Sequence, residues 1–346
     1  MGDIKYKAVD FFCGGGGMTC GLRQAGINVI AGVDFDKDCK ETYEFNNPES
    51  SFVLADITKL PSNYFTKKFG LQKDDNNLIF IGCSPCQYYS LINTSREKSL
   101  ASKDLLIDFK RFIEYYNPGY VLVENVPGIL SNRNSILPTF LEFLQEHGYN
   151  YIEYAVVDMS YYGVPQKRRR FSLIASRVGP VELPRKEAER RILRDYIGEA
   201  NGFPSIIAGH RDETVFNHTT SALSPINLER IMATPHNGGN RLAWKDNPHL
   251  QVPCFIGKDK SFVDTYGRMW WDQPASTITT KFYSISNGRF GHPEENRGLS
   301  LREGATLQTF PRNYVFKTNS VGATAKLIGN AVPPEYARRL GLIINR

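Results

Sequence analysis

The stretch YKAVDFFCGGGG, residues 6–17, joins a short apolar run to four consecutive glycines. Branched and aromatic residues at 6–12 predict a buried β-strand. Glycine lets the backbone turn tightly and approach a ligand with no side chain in the way. The stretch therefore predicts a first strand that ends in a glycine-rich, ligand-binding turn.

Strand-like and amphipathic runs then alternate in regular order through the first half of the chain. The predicted strands are 6–12, 28–35, 51–56, 77–82 and 120–126, and the predicted helices are about 18–25, 37–46, 103–116 and 135–147. This order predicts an α/β fold, with a parallel sheet and helices on both of its faces. Ligands of such sheets bind beyond the carboxyl ends of the strands.

Composition limits the class of protein. The chain has 346 residues, of which 41% are hydrophobic and 23% charged, an ordinary globular mixture. Its net charge of +6 permits a polyanionic partner. No apolar run reaches the roughly 18 residues of a membrane helix, and the N-terminus lacks the features of a signal peptide. Six cysteines are too few for a disulfide framework, so we expect a reducing cytoplasm.

Three predicted strand ends carry candidate cofactor-binding residues. Asp34, twenty residues after Gly14, is placed to accept hydrogen bonds from a ribose diol. Asp56 is a candidate for the amino edge of an adenine, and Phe35 for stacking on its ring. The dinucleotide fingerprint G-x-G-x-x-G is incomplete because position 19 is Thr. A nucleoside cofactor without a pyrophosphate, such as S-adenosylmethionine, fits better, although the glycines alone also suit a flexible loop.

The sequence Cys83-Ser84-Pro85-Cys86 follows the fourth predicted strand. A thioredoxin-like redox pair is one interpretation, but here the pair follows the fourth strand of a longer nucleotide-type sheet. A zinc site needs about four ligands, and the sequence has no second cluster to supply them. We therefore interpret Cys86 as a nucleophile, since a thiolate is strong and soft, and Cys83 as a bystander.

Groups that can assist a thiolate follow at the next strand ends. Glu124 ends the fifth strand, and a partly buried carboxyl can act as a general acid. The run GVPQKRRRF (163–171) predicts a strand with Gln166, Arg168 and Arg170 on one face. A solvated, charged strand end is the alternative for that run. Together with Cys86 these groups form a candidate reactive site.

Taken in order, these motifs resemble those of the DNA cytosine carbon-5 methyltransferases of prokaryotic restriction-modification systems. The resemblance covers nearly the whole chain and implies an S-adenosylmethionine-dependent, Rossmann-like mixed sheet with helices on both faces, plus a smaller inserted target recognition domain. One departure is Asp34, where the family usually has Glu. The motifs are DFFCGGGG (10–17), Asp34, Asp56, PCQYYS (85–90), ENVPG (124–128), QKRRR (166–170), LREGATLQTFP (301–311) and GNAVPP (329–334).

The resemblance implies a mechanism. Cys86 adds to carbon 6 of a cytosine flipped out of duplex DNA, and carbon 5 then takes the methyl group of S-adenosylmethionine. Glu124 binds ring nitrogen 3 and the exocyclic amine. Arg170 reaches the carbonyl oxygen of the base, and Arg168 supports the loop or a phosphate.

It also implies the remaining contacts, with no metal among them. The expected cofactor-binding residues are Phe12, Gly14, Gly16, Gly17, Asp34, Phe35, Asp56, Ile57, Pro85, Asn330 and Val332. The expected DNA-binding residues are Gln87, Ser90, Arg241, Arg268, Lys281 and Arg289.

We expect a discontinuous catalytic domain, residues 1–183 and 312–346, with the recognition domain and hinge at 184–311 and DNA in the cleft between them. A charged helix is predicted over 185–200. The expected partner is double-stranded DNA, bound by a monomer, with a cognate endonuclease that forms no stable complex with it.

Two alternatives remain. One is a tRNA methyltransferase of the same superfamily, because PCFIGKD (253–259) is similar to an element of that branch, although its third motif residue is Ile256. The other is a catalytically inactive, sequence-specific DNA-binding protein. The presence of Cys86, Glu124 and Arg170 argues against the second.

Overall fold

A computed structural model describes residues 5–84 and 105–346 of the chain. These residues divide into two compact units. The first takes its residues from Met1–Asp158, Arg169–Lys186 and Val332–Arg346, and the second consists of Met159–Arg168 and Glu187–Ala331. The domain limits given by the sequence analysis stay predictions.

The first unit is built on a seven-stranded sheet in the order β3-β2-β1-β4-β5-β7-β6. Strands β1 to β5 are parallel, and β7 runs antiparallel between β5 and β6. The sheet is therefore the mixed one that the family resemblance implies. Its strands are β1 (Lys7–Phe11), β2 (Asn28–Asp34), β3 (Ser51–Leu54), β4 (Leu78–Gly82), β5 (Tyr120–Asn125), β6 (Tyr151–Asp158) and β7 (Arg169–Ser176).

The α-helices of the described residues belong to both units. Those of the first unit are α1 (Gly17–Gln24), α2 (Lys40–Asn46), α3 (Tyr64–Phe69), α4 (Leu105–Tyr116), α5 (Gly128–Ser131), α6 (Leu137–Glu146) and α10 (Pro334–Ile344). Those of the second are α7 (Pro225–Ala233), α8 (Leu301–Leu307) and α9 (Val321–Asn330). None of these helices is both long and apolar enough to span a bilayer.

Alternation along β1 shows that helices cover both faces of the sheet. Phe11 points into the main apolar cluster, where its ring lies 5.2 and 5.1 Å from those of Phe109 and Phe112 on α4. Successive side chains of a strand point to opposite faces. Asp10 accordingly faces the other way and accepts a hydrogen bond from Thr19 of α1 at 2.7 Å.

On the second face of the sheet, the absence of a side chain at Gly32 of β2 makes room for the ring of Tyr43. A Cβ at Gly32 would lie 2.4 Å from the ring of Tyr43 on α2, so only glycine admits the ring. The Tyr43 hydroxyl lies 3.1 Å from the Thr19 hydroxyl and 2.8 Å from that of Ser50. A buried chain of polar groups therefore runs from Asp10 to Ser50.

The second unit has its own apolar core and a buried ionic cluster. The core contains Ile231, Trp244, Leu250, Tyr266 and Ile285. The guanidinium of Arg297 donates to both carboxylate oxygens of Glu303, at 2.7 and 2.8 Å, and to those of Glu295, both at 2.9 Å. Because a buried charge needs such partners, the cluster fixes the segment that precedes α8.

The charged helix predicted over 185–200 is wrong. Apart from short 3-10 turns, this segment is irregular. Several of its backbone N–H groups bond to carbonyls that are distant in the sequence: Arg191 donates to Ser160 and Arg194 to Trp271, each at 3.0 Å. Long-range backbone pairing therefore overrides the helical propensity of its charged residues.

Candidate active site

The glycine-rich turn and Asp34 come together at the carboxyl ends of β1 and β2. The backbone N–H of Gly14 donates to Asp34 Oδ2 at 2.9 Å, and that of Asp36 donates to Oδ1 at 2.9 Å. Gly14 and Gly16 have φ angles of +50° and +85°, a region that favours glycine. Gly17 begins α1. Asp34 therefore holds the turn in shape.

The neighbouring residues of this edge differ in exposure. Phe35 is 69% exposed, so its ring is open to a ligand, whereas Ile57 is buried. Asp56 accepts from the N–H of Thr58 at 3.0 Å and so caps the short turn Ile57–Lys59. Phe12 adopts a left-handed φ of +64°, which is uncommon for a residue with a side chain and fits a constrained turn.

Glu124 and Arg170 meet farther along the same edge of the sheet, at the carboxyl end of β5 and the start of β7. Arg170 Nε lies 3.1 Å from Glu124 Oε1, and the Glu124 residue is only 6% exposed. The adjacent Asn125 donates from Nδ2 to Ser84 Oγ at 3.3 Å. The chain after β4 is therefore tied to the end of β5, where Glu124 lies. Pro85, Cys86, Gln87 and Ser90 lie outside the described residues.

Residues 6–346 match the family described as C-5 cytosine-specific DNA methylase. The chain belongs to this family. It is 36% identical to the Type II methylase M.HgiDII of Herpetosiphon aurantiacus, covering 98% of this chain and 94% of the relative. It is 30% identical to the Type II methyltransferase M.PspPI of Psychrobacter sp. (strain TA137), covering 99% and 79% of the two chains.

Solved structures show the same fold. A prophage-encoded E. coli chain, assigned as a DNA modification methyltransferase, superposes with a TM-score of 0.74 at 22% identity, over 99% of this chain and 100% of that one. The Dnmt2 methyltransferase of S. pombe superposes with a TM-score of 0.64 at 16% identity, over 98% of each chain. The methylase therefore has the predicted S-adenosylmethionine-dependent methyltransferase fold.

The predicted strand face with Gln166, Arg168 and Arg170 is wrong, because β7 begins only at Arg169. Arg168 is buried, and its guanidinium donates to the carbonyls of Ile278 at 3.1 Å, Gly329 at 3.2 Å and Ala331 at 3.0 Å. A cation there satisfies carbonyls at the end of α9. Within the second unit of the methylase, Arg168 is thus a structural clamp.

Gln166 is buried beside that clamp. Its Nε2 donates to the carbonyl of Leu307 at 2.8 Å, and its Oε1 accepts from the N–H of Ile278 at 3.0 Å. Asn330 is exposed at the end of α9 in the second unit, and Val332 is buried in the first.

Three of the predicted DNA-binding arginines are buried in the second unit. Arg268 donates to the backbone carbonyls of Ile231 and Thr234, among others. Arg289 pairs with Asp264 at 2.7 Å. Arg241 donates to three backbone carbonyls of residues 258–262. We therefore leave these arginines out of the proposed DNA interface. Lys281 is exposed. Sequence alone does not distinguish a buried arginine from an exposed one.

Asp10 is a buried acid of β1 that the sequence analysis did not single out. It is fully buried, and desolvation raises the pKa of its carboxyl to about 7, although the hydrogen bonds from Thr19 lower it in part. Asp34 raises this pKa further by charge repulsion. The signal was an acid inside an apolar strand, four residues before the first glycine of the turn.

Proposed function

We propose that this methylase transfers a methyl group from S-adenosylmethionine to carbon 5 of a cytosine that it flips out of duplex DNA. The observation that carries the proposal is the buried ion pair of Glu124 and Arg170. It lies at the end of β5, where the adjacent Asn125 is hydrogen-bonded to Ser84. Ser84 precedes Cys86 by two residues in the sequence. A thiol, an acid and a guanidinium group are what the reaction needs.

The proposed roles follow from the chemistry of each group. Cys86 adds as a thiolate to carbon 6, which makes carbon 5 nucleophilic. Glu124 binds ring nitrogen 3 and the exocyclic amine, where charge changes during the addition, and Arg170 binds the carbonyl oxygen of the base. Loss of the carbon-5 proton then expels Cys86. Before the base arrives, Arg170 holds the Glu124 carboxylate in place.

The cofactor supplies an electrophilic methyl group when it is bound. We propose that it binds at the glycine turn, where Gly14 and Gly16 bring the backbone close. Asp34 would hold the ribose, Phe35 would stack on the adenine, and Asp56 would accept from its amino group. The Gly14–Asp34 hydrogen bond and the exposed Phe35 ring support this assignment.

The names of the two relatives place both among Type II systems. We propose that this protein is the modification enzyme of such a system, active in the bacterial cytoplasm as a monomer. A cognate endonuclease would act on the same DNA sequence without forming a stable complex.

Covalent trapping tests the proposal without knowledge of the recognition sequence. A plasmid-length duplex is made with 5-fluorodeoxycytidine in place of every deoxycytidine and is incubated with protein and S-adenosylmethionine. Fluorine at carbon 5 blocks elimination, so we expect an adduct that survives denaturing electrophoresis. Cys86→Ser should form none, and Cys83→Ser should form as much as the wild type.

Transfer of labelled methyl groups to duplex DNA and to tRNA is measured in parallel. If only tRNA is methylated, the substrate is tRNA and the proposed DNA substrate is wrong. Wild-type protein that binds DNA but forms no adduct and transfers no label would be a DNA-binding protein, and the proposed function would be wrong.

A further inference from the structure

A surface loop of the second unit is held from inside by a buried arginine. We call residues 257–262 the clamped loop. Arg241 is 3% exposed, and its guanidinium donates to the carbonyls of Lys258 at 2.6 Å, Ser261 at 2.7 Å and Phe262 at 3.2 Å. Because one rigid, planar donor group binds three carbonyls, the loop backbone is pre-organised.

The clamped loop presents an aromatic ring to solvent. Phe262 is 63% exposed, although aromatic side chains are normally buried, and its φ angle is +54°. A bulky residue in the left-handed region is an outlier, of a kind that clusters at functional sites. Ile256, directly before the loop, is also 63% exposed.

The charged side chains of the clamped loop that form no ion pair among the described residues are both lysines. Asp259 lies 3.9 Å from Lys245, and Asp264, just beyond the loop, pairs with Arg289 at 2.7 Å. Lys258 and Lys260 are exposed, and neither has an ion-pair partner in the part of the chain that the structure describes. An exposed ring and two unpaired cations in one short loop suit a polyanion with aromatic bases.

We propose that the clamped loop is a DNA-contacting element in which Phe262 inserts at a base step of the duplex and stacks on the base that it uncovers, while Lys258 and Lys260 bind phosphates. Arg241 is its positioning residue and does not itself touch DNA. The inference rests on the proposed function, since it assigns to the same duplex DNA a contact surface on the second unit.

Phe262→Gly separates a binding role from a structural one. Glycine adopts a positive φ freely, which offsets the unfolded-chain entropy that it adds and the lost contact with the Phe255 ring, so the melting temperature should change by no more than a few degrees. Loss of base stacking should weaken binding to duplex DNA at least about fivefold. Fluorescence anisotropy measures the affinity with a labelled 30-base-pair duplex that contains the methylation site, which is first mapped by sequencing plasmid DNA methylated by the wild type. Phe262→Asn, which also tolerates this φ, is the second variant and should behave alike.

The control for the ring is Phe45→Ala, which removes a half-exposed ring from α2 in the first unit. Its DNA affinity should equal that of the wild type. If Phe262→Gly and Phe262→Asn keep the wild-type affinity, or if Phe45→Ala weakens binding as much as they do, the inference is wrong.

The lysines are tested through salt dependence. Each lost phosphate contact reduces the slope of log affinity against log salt concentration by about 1, so Lys258→Ala/Lys260→Ala should reduce it by about 2. The control pair Lys67→Ala/Lys68→Ala removes two exposed lysines of α3 and should leave the slope unchanged. Equal slopes for wild type and Lys258→Ala/Lys260→Ala would exclude the phosphate contacts.

Adduct formation by the wild type, measured separately, keeps the two proposals distinguishable. An active wild type whose loop variants bind DNA normally would overturn this inference alone. A wild type that neither binds nor modifies duplex DNA would overturn the proposed function, and this inference with it.

Discussion

Asp10 shows how a single residue can link the sheet to helix α1. Its carboxyl accepts from the Thr19 hydroxyl, which lies 3.1 Å from that of Tyr43, and Ser50 completes the chain. Asp10 Oδ1 is buried without a hydrogen-bond partner among the described residues. Burying an unsatisfied carboxylate is costly, which is why desolvation raises the pKa of Asp10 to about 7.

This pKa predicts how stability depends on pH. Below pH 3.8, the ordinary pKa, both folded and unfolded states hold the proton; between 3.8 and about 7 only the folded state does. Stability therefore falls as pH rises through this range, by about 4 kcal/mol in total, and levels off above it. Asp10→Asn should remove this loss while keeping an acceptor for Thr19. Urea unfolding at pH 5.5, 6.5, 7.5 and 8.5 measures the difference between the two proteins.

We expect the stability of Asp10→Asn relative to wild type to rise with pH and to level off above pH 7. Glu41→Gln, which removes an exposed carboxyl from α2, is the matched control. A constant difference between Asp10→Asn and wild type across the range would mean that Asp10 is already ionised in the folded protein.

The two carboxylate oxygens of Asp34 accept hydrogen bonds from Gly14, in the glycine turn, and from Asp36. We therefore expect the loss of this side chain to weaken cofactor binding more than DNA binding. In Asp34→Ala the N–H groups of Gly14 and Asp36 lose a charged partner, worth about 1.5–3 kcal/mol each. We expect S-adenosylmethionine to bind at least about tenfold more weakly, as measured by calorimetry, with little change in DNA affinity. Asp38→Ala, an exposed acid of the next turn, should bind the cofactor normally. Unchanged affinity in Asp34→Ala would remove Asp34 from the pocket.

At the scale of elements, α9 packs against the TITT segment (277–280) through a glycine. A Cβ at Gly329 would lie 2.3 Å from the backbone carbon of Thr279 and 2.5 Å from the nitrogen of Thr280, neither of which can move aside easily. Gly329→Ala should therefore destabilise the second unit by about 1–3 kcal/mol. Thermal unfolding followed by tryptophan fluorescence measures the effect.

Gly322, in the first turn of the same helix, provides the control. A Cβ there would meet only the Tyr283 hydroxyl, at an ordinary 3.6 Å. Gly322→Ala should be neutral or slightly stabilising, since alanine is the better helix former. Equal effects of the two substitutions would mean that the close approach at Gly329 is relieved by small shifts.

The elements that could be predicted from the sequence are those with a regular hydrophobic pattern. Strands β1 to β5 and helices α1, α2, α4 and α6 follow from hydrophobic periodicity, and the structure confirms them within a few residues. The segment 185–200 could not be predicted, because its backbone partners are distant in sequence. Likewise, nothing local marks Arg168 as a clamp and Arg170 as the partner of Glu124, since both lie in one basic run.

At the scale of the whole molecule, residues far apart in the sequence close the first unit. Asn345 Nδ2 donates to the carbonyl of Ala25 at 2.9 Å, and α10 packs on α1 through glycines. A Cβ at Gly21 would lie 2.1 Å from the carbonyl oxygen of Pro334. Contacts between residues 320 positions apart form late, so we expect the first unit to fold slowly.

The same helix pair allows the stability of the two units to be measured separately. A Cβ at Gly341 would lie 2.6 Å from that of Ala25 and 3.1 Å from Leu22, so Gly341→Val should destabilise the first unit by about 1–3 kcal/mol. Leu342→Ala, at a half-exposed position of α10, should change stability by no more than about 0.5 kcal/mol.

All three tryptophans, 244, 270 and 271, belong to the second unit, so their fluorescence reports that unit alone. The proposed cofactor site, at the glycine turn and Asp34, belongs to the first unit, so the loss of S-adenosylmethionine binding during a urea titration is the readout for that unit. Gly341→Val should lower the midpoint of the cofactor-binding transition and leave the fluorescence midpoint unchanged, because compact units open with separate free energies. Gly329→Ala should do the reverse. If either substitution lowers both midpoints equally, the two units unfold as one cooperative block.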